Sequence, residues 1–278
     1  MCFLCNSKSS PWSSRRAFLL AAGAATGSAA IAQVDVGKSS EFRKLVPAAE
    51  LEAAAAQQYV QTLGEARAKN VLLPESHPQV QRLRAMARRI IPNTPQWNKR
   101  ATAWNWEINL IQSDQINAYC MPGGKIAFYT GILDTLKLSD DEAAMIMGHE
   151  MAHALREHGR ERIGKTQAAG MGLSALSQLL GLGNIGDVAA QLGTQLLALK
   201  FSREDETEAD LVGLELAARS AYAPQAGATL WRKMTAASGG SNSVKFMSTH
   251  PSGPDRIRQL EANAPKVQGL YDRARKAR

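Results

Sequence analysis

Two histidines four residues apart, set in a stretch that is apolar on almost every side, constrain this chain more than any other feature. They lie in HEMAHALREH, which begins at His149. On an α-helix, positions four apart project from one face about a turn apart, so the imidazoles of His149 and His153 can reach a single metal ion. Glu150, beside the first histidine, can reach a water at that ion. Ala143, Ala144, Met145, Ile146, Met147, Met151, Ala152, Ala154 and Leu155 surround the motif, so the helix is expected to be central and mostly buried. Ser139 and Glu142 read as a capping box, with Asp140 and Asp141 adding negative charge at the positive end of the helix dipole. Gly159 is the expected stop. Burying a Glu-His cluster is costly unless it is compensated, and a divalent cation compensates it. The bland alternative, a chance match on an alanine-rich surface helix, is disfavoured by that burial and capping. His158 lies five residues beyond His153, which turns it away from the shared face, so it reads as a surface or capping histidine.

A hydrolytic zinc site usually has three protein ligands and one open position. The third ligand is sought in Ser202-Arg203-Glu204-Asp205-Glu206-Thr207-Glu208-Ala209-Asp210, which opens a second helix. Glu206 and Asp210 share a face there. If Glu206 binds the metal, Asp210 can accept a hydrogen bond from the far nitrogen of a ligand histidine. The same residues read equally as an acidic, solvated first turn that complements the dipole.

These segments stand in order with NAYCMPGGKIAFYTGIL before the histidines and THPSGPDRI after the acidic helix. Together they resemble the zinc metallopeptidase family that includes HtpX, the CAAX prenyl proteases and the mitochondrial Oma-type proteases, and in particular its soluble periplasmic bacterial members. The resemblance spans about Leu73 to Leu260. It implies an α+β, mainly helical, zincin-like fold in which His149, His153 and Glu206 bind one zinc ion. It also implies Glu150 as catalytic base and Asp210 as the residue that holds a ligand histidine.

Glu150 would take a proton from a zinc-activated water and deliver it to the leaving amine. His250 and Arg256 are the candidate stabilisers of the developing oxyanion. In relatives a histidine matching His250 lies close to the metal, so it could instead fill the open position and keep the site latent. His250 also reads as a packing residue before Pro251, and Pro254-Asp255-Arg256-Ile257 reads as the start of an ordinary amphipathic helix.

The substrate side is expected in two strands. Trp104, Trp106, Ile108 and Leu110 alternate with polar residues, and Lys125 to Thr130 follows a Pro122-Gly123-Gly124 turn, which suggests a small antiparallel sheet beside the metal helix. The resemblance implies that the sheet edge lies along the cleft, where an extended, unfolded protein would add as a strand.

The first 32 residues read as an export leader. Arg15-Arg16 precedes an uncharged Ala/Gly stretch ending in Ala30-Ile31-Ala32, a pattern resembling a cleaved twin-arginine signal. A general secretory signal or an uncleaved anchor are the alternatives. Its loss removes Lys8, Arg15, Arg16, Cys2 and Cys5, so the formal net charge falls from +8 to +5 and Cys120 is the one thiol left. No internal disulfide is then possible, and the mature protein is expected in the periplasm. The modest positive charge is not a nucleic-acid signature. Arg82, Arg84, Arg88, Arg89 and the terminal YDRARKAR lack aromatic interleaving, which leaves peripheral contact with anionic lipid as a minor option.

Past the leader, residues 33–72 are expected to form a helical segment, with one long helix from Glu41 to Asn70. Residues 73–278 would form the catalytic domain, interrupted at 166–199 by a Gly-rich apolar insertion read as a helical hairpin or lid. Two functional classes follow: a zinc endopeptidase acting on unfolded or misassembled proteins in the cell envelope, and a zinc-dependent chaperone or binding module whose site is blocked by His250. The intact Glu150 favours the first, because a purely structural site needs no base.

Overall fold

The architecture is that of a computed structural model, which describes residues 34–169, 195–238, 245–251 and 253–278. The chain divides into Met1–Ala32 and Gln33–Arg278, and the description concerns the second unit alone. The expected leader, and all but the ends of the 166–199 insertion, lie outside the described residues.

The expected N-terminal helix is divided. A 3-10 turn, Glu41–Leu45, comes first, and Pro47 then caps α1, Ala48–Ala68. Proline disfavours helical geometry in the residue before it and has no N–H to donate, so the break falls where the sequence places it. Helix α2, Pro78–Ile90, starts with proline at its first position and buries Val80, Leu83, Met86, Ala87 and Ile90 at helical spacing. Its arginines tie it to neighbours: Arg82 reaches Asp140 at 2.6 Å, Arg84 reaches Ile108 O at 3.2 Å, and Arg89 lies 3.8 Å over the Tyr222 ring.

Three strands follow: β1, Glu107–Ile111; β2, Ala118–Met121; and β3, Lys125–Tyr129. Their order is β1-β3-β2, with β3 parallel to β1 and antiparallel to β2. The sheet is therefore mixed, where the sequence suggested an antiparallel one. The cause is the tight Met121–Gly124 hairpin. It folds β3 back between β2 and β1, so β3 runs in the direction of β1. Gly123 and Gly124 have φ of 81° and 78°, and a Cβ on Gly124 would come within 2.7 Å of the Trp106 ring, so glycine is required there on two counts. Strand β1 starts three residues later than the alternation from Trp104 suggests, because both indoles are held outside it. Trp104 donates to Glu52 and Trp106 to Ala101 O. Helix α1 covers one face of the sheet, where Tyr59 donates to Ile126 O at 2.5 Å and accepts from Asn109.

Beyond the sheet come α3, Thr130–Thr135; α4, Asp140–Leu155; α5, His158–Ala168; α6, Arg203–Arg219; α7, Ala226–Ser238; α8, Lys245–Thr249; and α9, Pro254–Lys276. Helix α4 is buried from Glu142 to Leu155, and both halves of the Ser139–Glu142 capping box are formed. Ser202 and Asp205 make the equivalent box at α6. The two helices cross with Gly148 against Gly213. A Cβ on Gly148 would lie 2.8 Å from Gly213 O, and one on Gly213 would lie 2.7 Å from His149 N. The backbones therefore touch with no side chain between them. Helix α4 ends at Leu155 rather than near Gly159. Glu157 takes a left-handed φ of 62°, and Gly159 lies inside α5. Residues just after the expected leader join the core, with buried Val34 donating its N–H to buried Glu215 at 2.6 Å. Among the described residues no helix is long and apolar enough to cross a membrane.

Replacing Gly213 with alanine should force α4 and α6 apart and destabilise the protein by about 1–3 kcal/mol, the usual cost of overpacking a close contact. Urea unfolding of Gly213→Ala beside wild type measures this, and an unchanged midpoint would contradict the close crossing.

Candidate metal centre

Helix α4 supplies His149, Glu150 and His153, helix α6 supplies Glu206 and Asp210, and His250 follows α8. One donor atom from each of His149, His153, Glu206 and His250 lies within 4.8 Å of the others, and all four residues are buried. The Nε2 atoms of His149 and His153 are 3.1 Å apart. His250 Nδ1 is 3.3 Å from His149 Nε2 and 3.0 Å from Glu206 Oε1. Glu206 Oε1 is 3.5 Å from His153 Nε2, and its Oε2 is 3.6 Å from His149 Nε2.

A zinc ion fits this arrangement on its own terms. The other nitrogens of His149 and His153 face hydrogen-bond partners, Asp210 at 3.0 Å and His158 at 2.9 Å. With protons on those sides, the two Nε2 lone pairs point at each other across 3.1 Å. Such lone pairs repel unless a cation lies between them. Imidazole nitrogen with carboxylate oxygen is a donor set that suits zinc. Glu150 Oε1 is also buried without a hydrogen-bond partner, as expected of a carboxylate waiting for a water or substrate.

The electrostatics divide the carboxylates by role. Burial raises the pKa of Glu150, which favours its carrying a proton. Burial also opposes ionisation of Asp210, but the adjacent Arg256 outweighs it and pulls the pKa down to about 2. Glu206 is likewise lowered against its burial, by His250, His149 and Arg256. Burial lowers the pKa of His153 well below the usual histidine value. It opposes charge on His250 too, where Glu150 and Glu206 prevail and raise the pKa.

Arg256 is engaged by the carboxylates of α6. Its guanidinium grips Asp210 through Nε and Nη2, both at 2.7 Å, and reaches Glu206 Oε2 through Nη1 at 2.5 Å. Trp231 donates to Asp210 at 3.1 Å and lies under the guanidinium at 3.6 Å. Arg256 thus stands behind the donors and neutralises them. In the first turn of α9, after Pro254, Arg256 is buried while Asp255 faces solvent.

In front of the donors is a cavity of about 130 Å³, lined among others by Glu150, His153, His250, Cys120, Tyr119 and Phe201. The backbone of Cys120 in β2 hydrogen-bonds to the Glu150 carboxylate, so the edge of the sheet adjoins the reactive groups. The Cys120 thiol is buried, burial pushes its pKa well above the ordinary value, and it is not one of the four converging donors.

Two groups of contacts were not foreseen from sequence. Phe201 stacks on His153 at 3.9 Å between ring centres, and Phe246 stacks on His250 at 4.2 Å. His158, expected at the surface, is 1% exposed. The break at Glu157 turns it back onto His153, and burial drives its pKa down to about 3. Continuous helical spacing places His158 on another face, and a left-handed glutamate gives no sequence warning.

Comparisons with known proteins agree with this chemistry. The description of peptidase family M48 matches residues 79–264. The mitochondrial metalloendopeptidase OMA1 of Schizosaccharomyces pombe is 35% identical over 202 residues, covering 71% of this chain and 56% of that protein. The metalloprotease LoiP of Escherichia coli is 26% identical over 155 residues, covering 54% of this chain and 60% of LoiP. The beta-barrel assembly-enhancing protease of Escherichia coli is 26% identical over 174 residues, covering 58% of this chain and 35% of that protein. The chain thus spans less than two thirds of the length of each.

Removing Arg256 takes the main counter-charge from buried Asp210 and one of those beside Glu206. Arg256→Met should therefore lower the stability of the zinc-free protein by about 3–5 kcal/mol, the range for breaking a buried ion pair from one side. Denaturant unfolding in the presence of a chelator measures it, and a loss below about 1 kcal/mol would contradict the compensating role.

Proposed function

The chain belongs to peptidase family M48, and from that membership and its buried donor cluster we propose that it is a zinc-dependent endopeptidase that cleaves unfolded or misassembled proteins in the cell envelope. The observation that carries this reading is Glu150, a buried carboxylate with one oxygen unpaired, beside converging His149, His153 and Glu206. A purely structural zinc site has no use for it.

His149, His153 and Glu206 would hold one zinc ion, with His149 oriented by Asp210. Bound there, zinc supplies Lewis acidity, polarising a peptide carbonyl and bringing the pKa of a water to about 7. Glu150 accepts the proton of the attacking water and returns it to the leaving nitrogen. Burial raises its pKa above the usual carboxylate value, the direction that suits a general base. The backbone of Cys120 steadies the carboxylate between these transfers.

Strand β2 is the sheet edge beside the cleft. An extended substrate would pair with its main chain, a mode that reads backbone more than side chains and selects for polypeptide that is not already folded. A twin-arginine leader at 1–32 would deliver the domain to the periplasm, with at most peripheral contact with lipid.

A second reading concerns control of the same site. His250 Nδ1 stands among the other donors, so His250 can take the position that substrate and water need and hold the enzyme latent. In its extreme form the protein would act as a zinc-dependent chaperone or binding module.

Glu150→Gln should keep about one zinc per chain and lose at least about a hundredfold in casein cleavage, in line with removal of a general base. Metal analysis and a fluorogenic casein assay measure both, and undiminished cleavage would sink the mechanism. His250→Ala should retain zinc and cleave casein faster than wild type. A fall in rate with zinc retained would instead assign His250 to the transition state.

A further inference from the structure

The two ligand histidines of α4 are supported in unlike ways, and the second support involves a residue with no role so far. His149 Nδ1 faces the Asp210 carboxylate, which Arg256 grips from behind. His153 Nδ1 faces His158 Nδ1 at 2.9 Å. His158 in turn places Nε2 3.6 Å from Glu208 Oε2, and Glu208 pairs with Arg156, the residue capping α4. Each ligand histidine therefore leads outward to a carboxylate paired with an arginine. One path is direct and the other passes through an additional imidazole.

We propose that His158 is a positioning residue for the metal site, accepting a hydrogen bond at Nδ1 from His153 Nδ1–H and so fixing the tautomer in which His153 Nε2 faces the ion. The inference rests on the zinc-site reading above. Two facing ring nitrogens can bond only if one carries the proton. His153 must leave Nε2 free to serve as a ligand, so its proton belongs on Nδ1 and the acceptor is His158. The proton of neutral His158 then lies on Nε2, with Glu208 Oε2 3.6 Å away and no hydrogen bond between them.

The packing supports a fixed geometry. His158 is buried, and its ring meets that of His153 edge to face at 5.0 Å between centres. Phe201 stacks on the face of His153. A ring held by one face and one nitrogen cannot rotate without losing both contacts. A neutral acceptor also adds no negative charge beside the ion. Glu206, Asp210 and Glu150 already place three carboxylates near it, and a further anion would weaken its Lewis acidity. The left-handed turn at Glu157 makes the contact possible, since an unbroken helix would carry His158 elsewhere.

The test is zinc affinity, measured by competition with a chromophoric chelator, together with the thermal midpoint of the zinc-free protein. His158→Leu should weaken zinc about 10–100-fold, the usual effect of losing a partner behind a ligand. His158→Asn keeps an acceptor oxygen near the Nδ1 position and should recover most of that loss. A leucine variant within about threefold of wild type, or an asparagine variant as weak as leucine, would overturn the proposal. Should leucine fail to fold, nitrogen NMR of the zinc-loaded wild type decides the matter. Protons on His153 Nδ1 and His158 Nε2 are expected, and a proton on His158 Nδ1 refutes it. A wild-type protein that binds no zinc would instead refute the zinc-site reading.

Discussion

The contact between Gly148 and Gly213 sets the geometry on which the site depends. Helices normally pack 8–10 Å apart because their side chains hold them off. Here neither residue has one, and the two backbones meet directly. Gly148 immediately precedes His149, and Gly213 lies one turn beyond Asp210. The closest point of the crossing is thus also where the ligand histidine of one helix faces the carboxylates of the other. Rigid elements, and no long loop, fix most of the donor geometry.

That closeness concentrates charge where water cannot screen it. Glu150, Glu206 and Asp210 are all buried within one cluster, and unopposed carboxylates at that density would push their protons back on or push the helices apart. Arg256 answers from the rear, bound to Asp210 and Glu206 at once, with the Trp231 face beneath it. The metal would answer from the front. Glu150 has no arginine beside it, only His250 at 3.7 Å, and burial raises its pKa. The asymmetry sets Glu150, the proposed base, apart from the two carboxylates that stay ionised.

Much of the site was legible because its logic is local. The His149–His153 spacing, the Ser139–Glu142 box and the Glu206–Asp210 pair each depend on helical periodicity within a few residues. The parts that escaped depend on geometry the chain does not write locally. His158 was assigned to the wrong face because helical periodicity was carried across Glu157, where the backbone reverses hand. The sheet was read as antiparallel because pairing was assumed between β1 and β3 as a simple return, whereas β2 and its hairpin bring β3 round to run parallel with β1. The grip of Arg256 on Asp210 and Glu206 was not foreseen, because sequence distance says nothing about the side from which α9 approaches. Trp104 and Trp106 fitted an alternating pattern, yet long-range bonds from their indole nitrogens drew them out of the strand.

Strand β2 has four residues, and at about 3.3 Å per residue it is a ruler some 13 Å long. Pro122 closes one end of it, since an imide nitrogen has no hydrogen to offer a neighbouring strand. Long open edges invite copies of a protein to stack on one another without limit. This edge is too short and too abruptly terminated to template such growth. If substrate pairs here as proposed, the edge could receive foreign backbone without the molecule becoming the seed of its own precipitation.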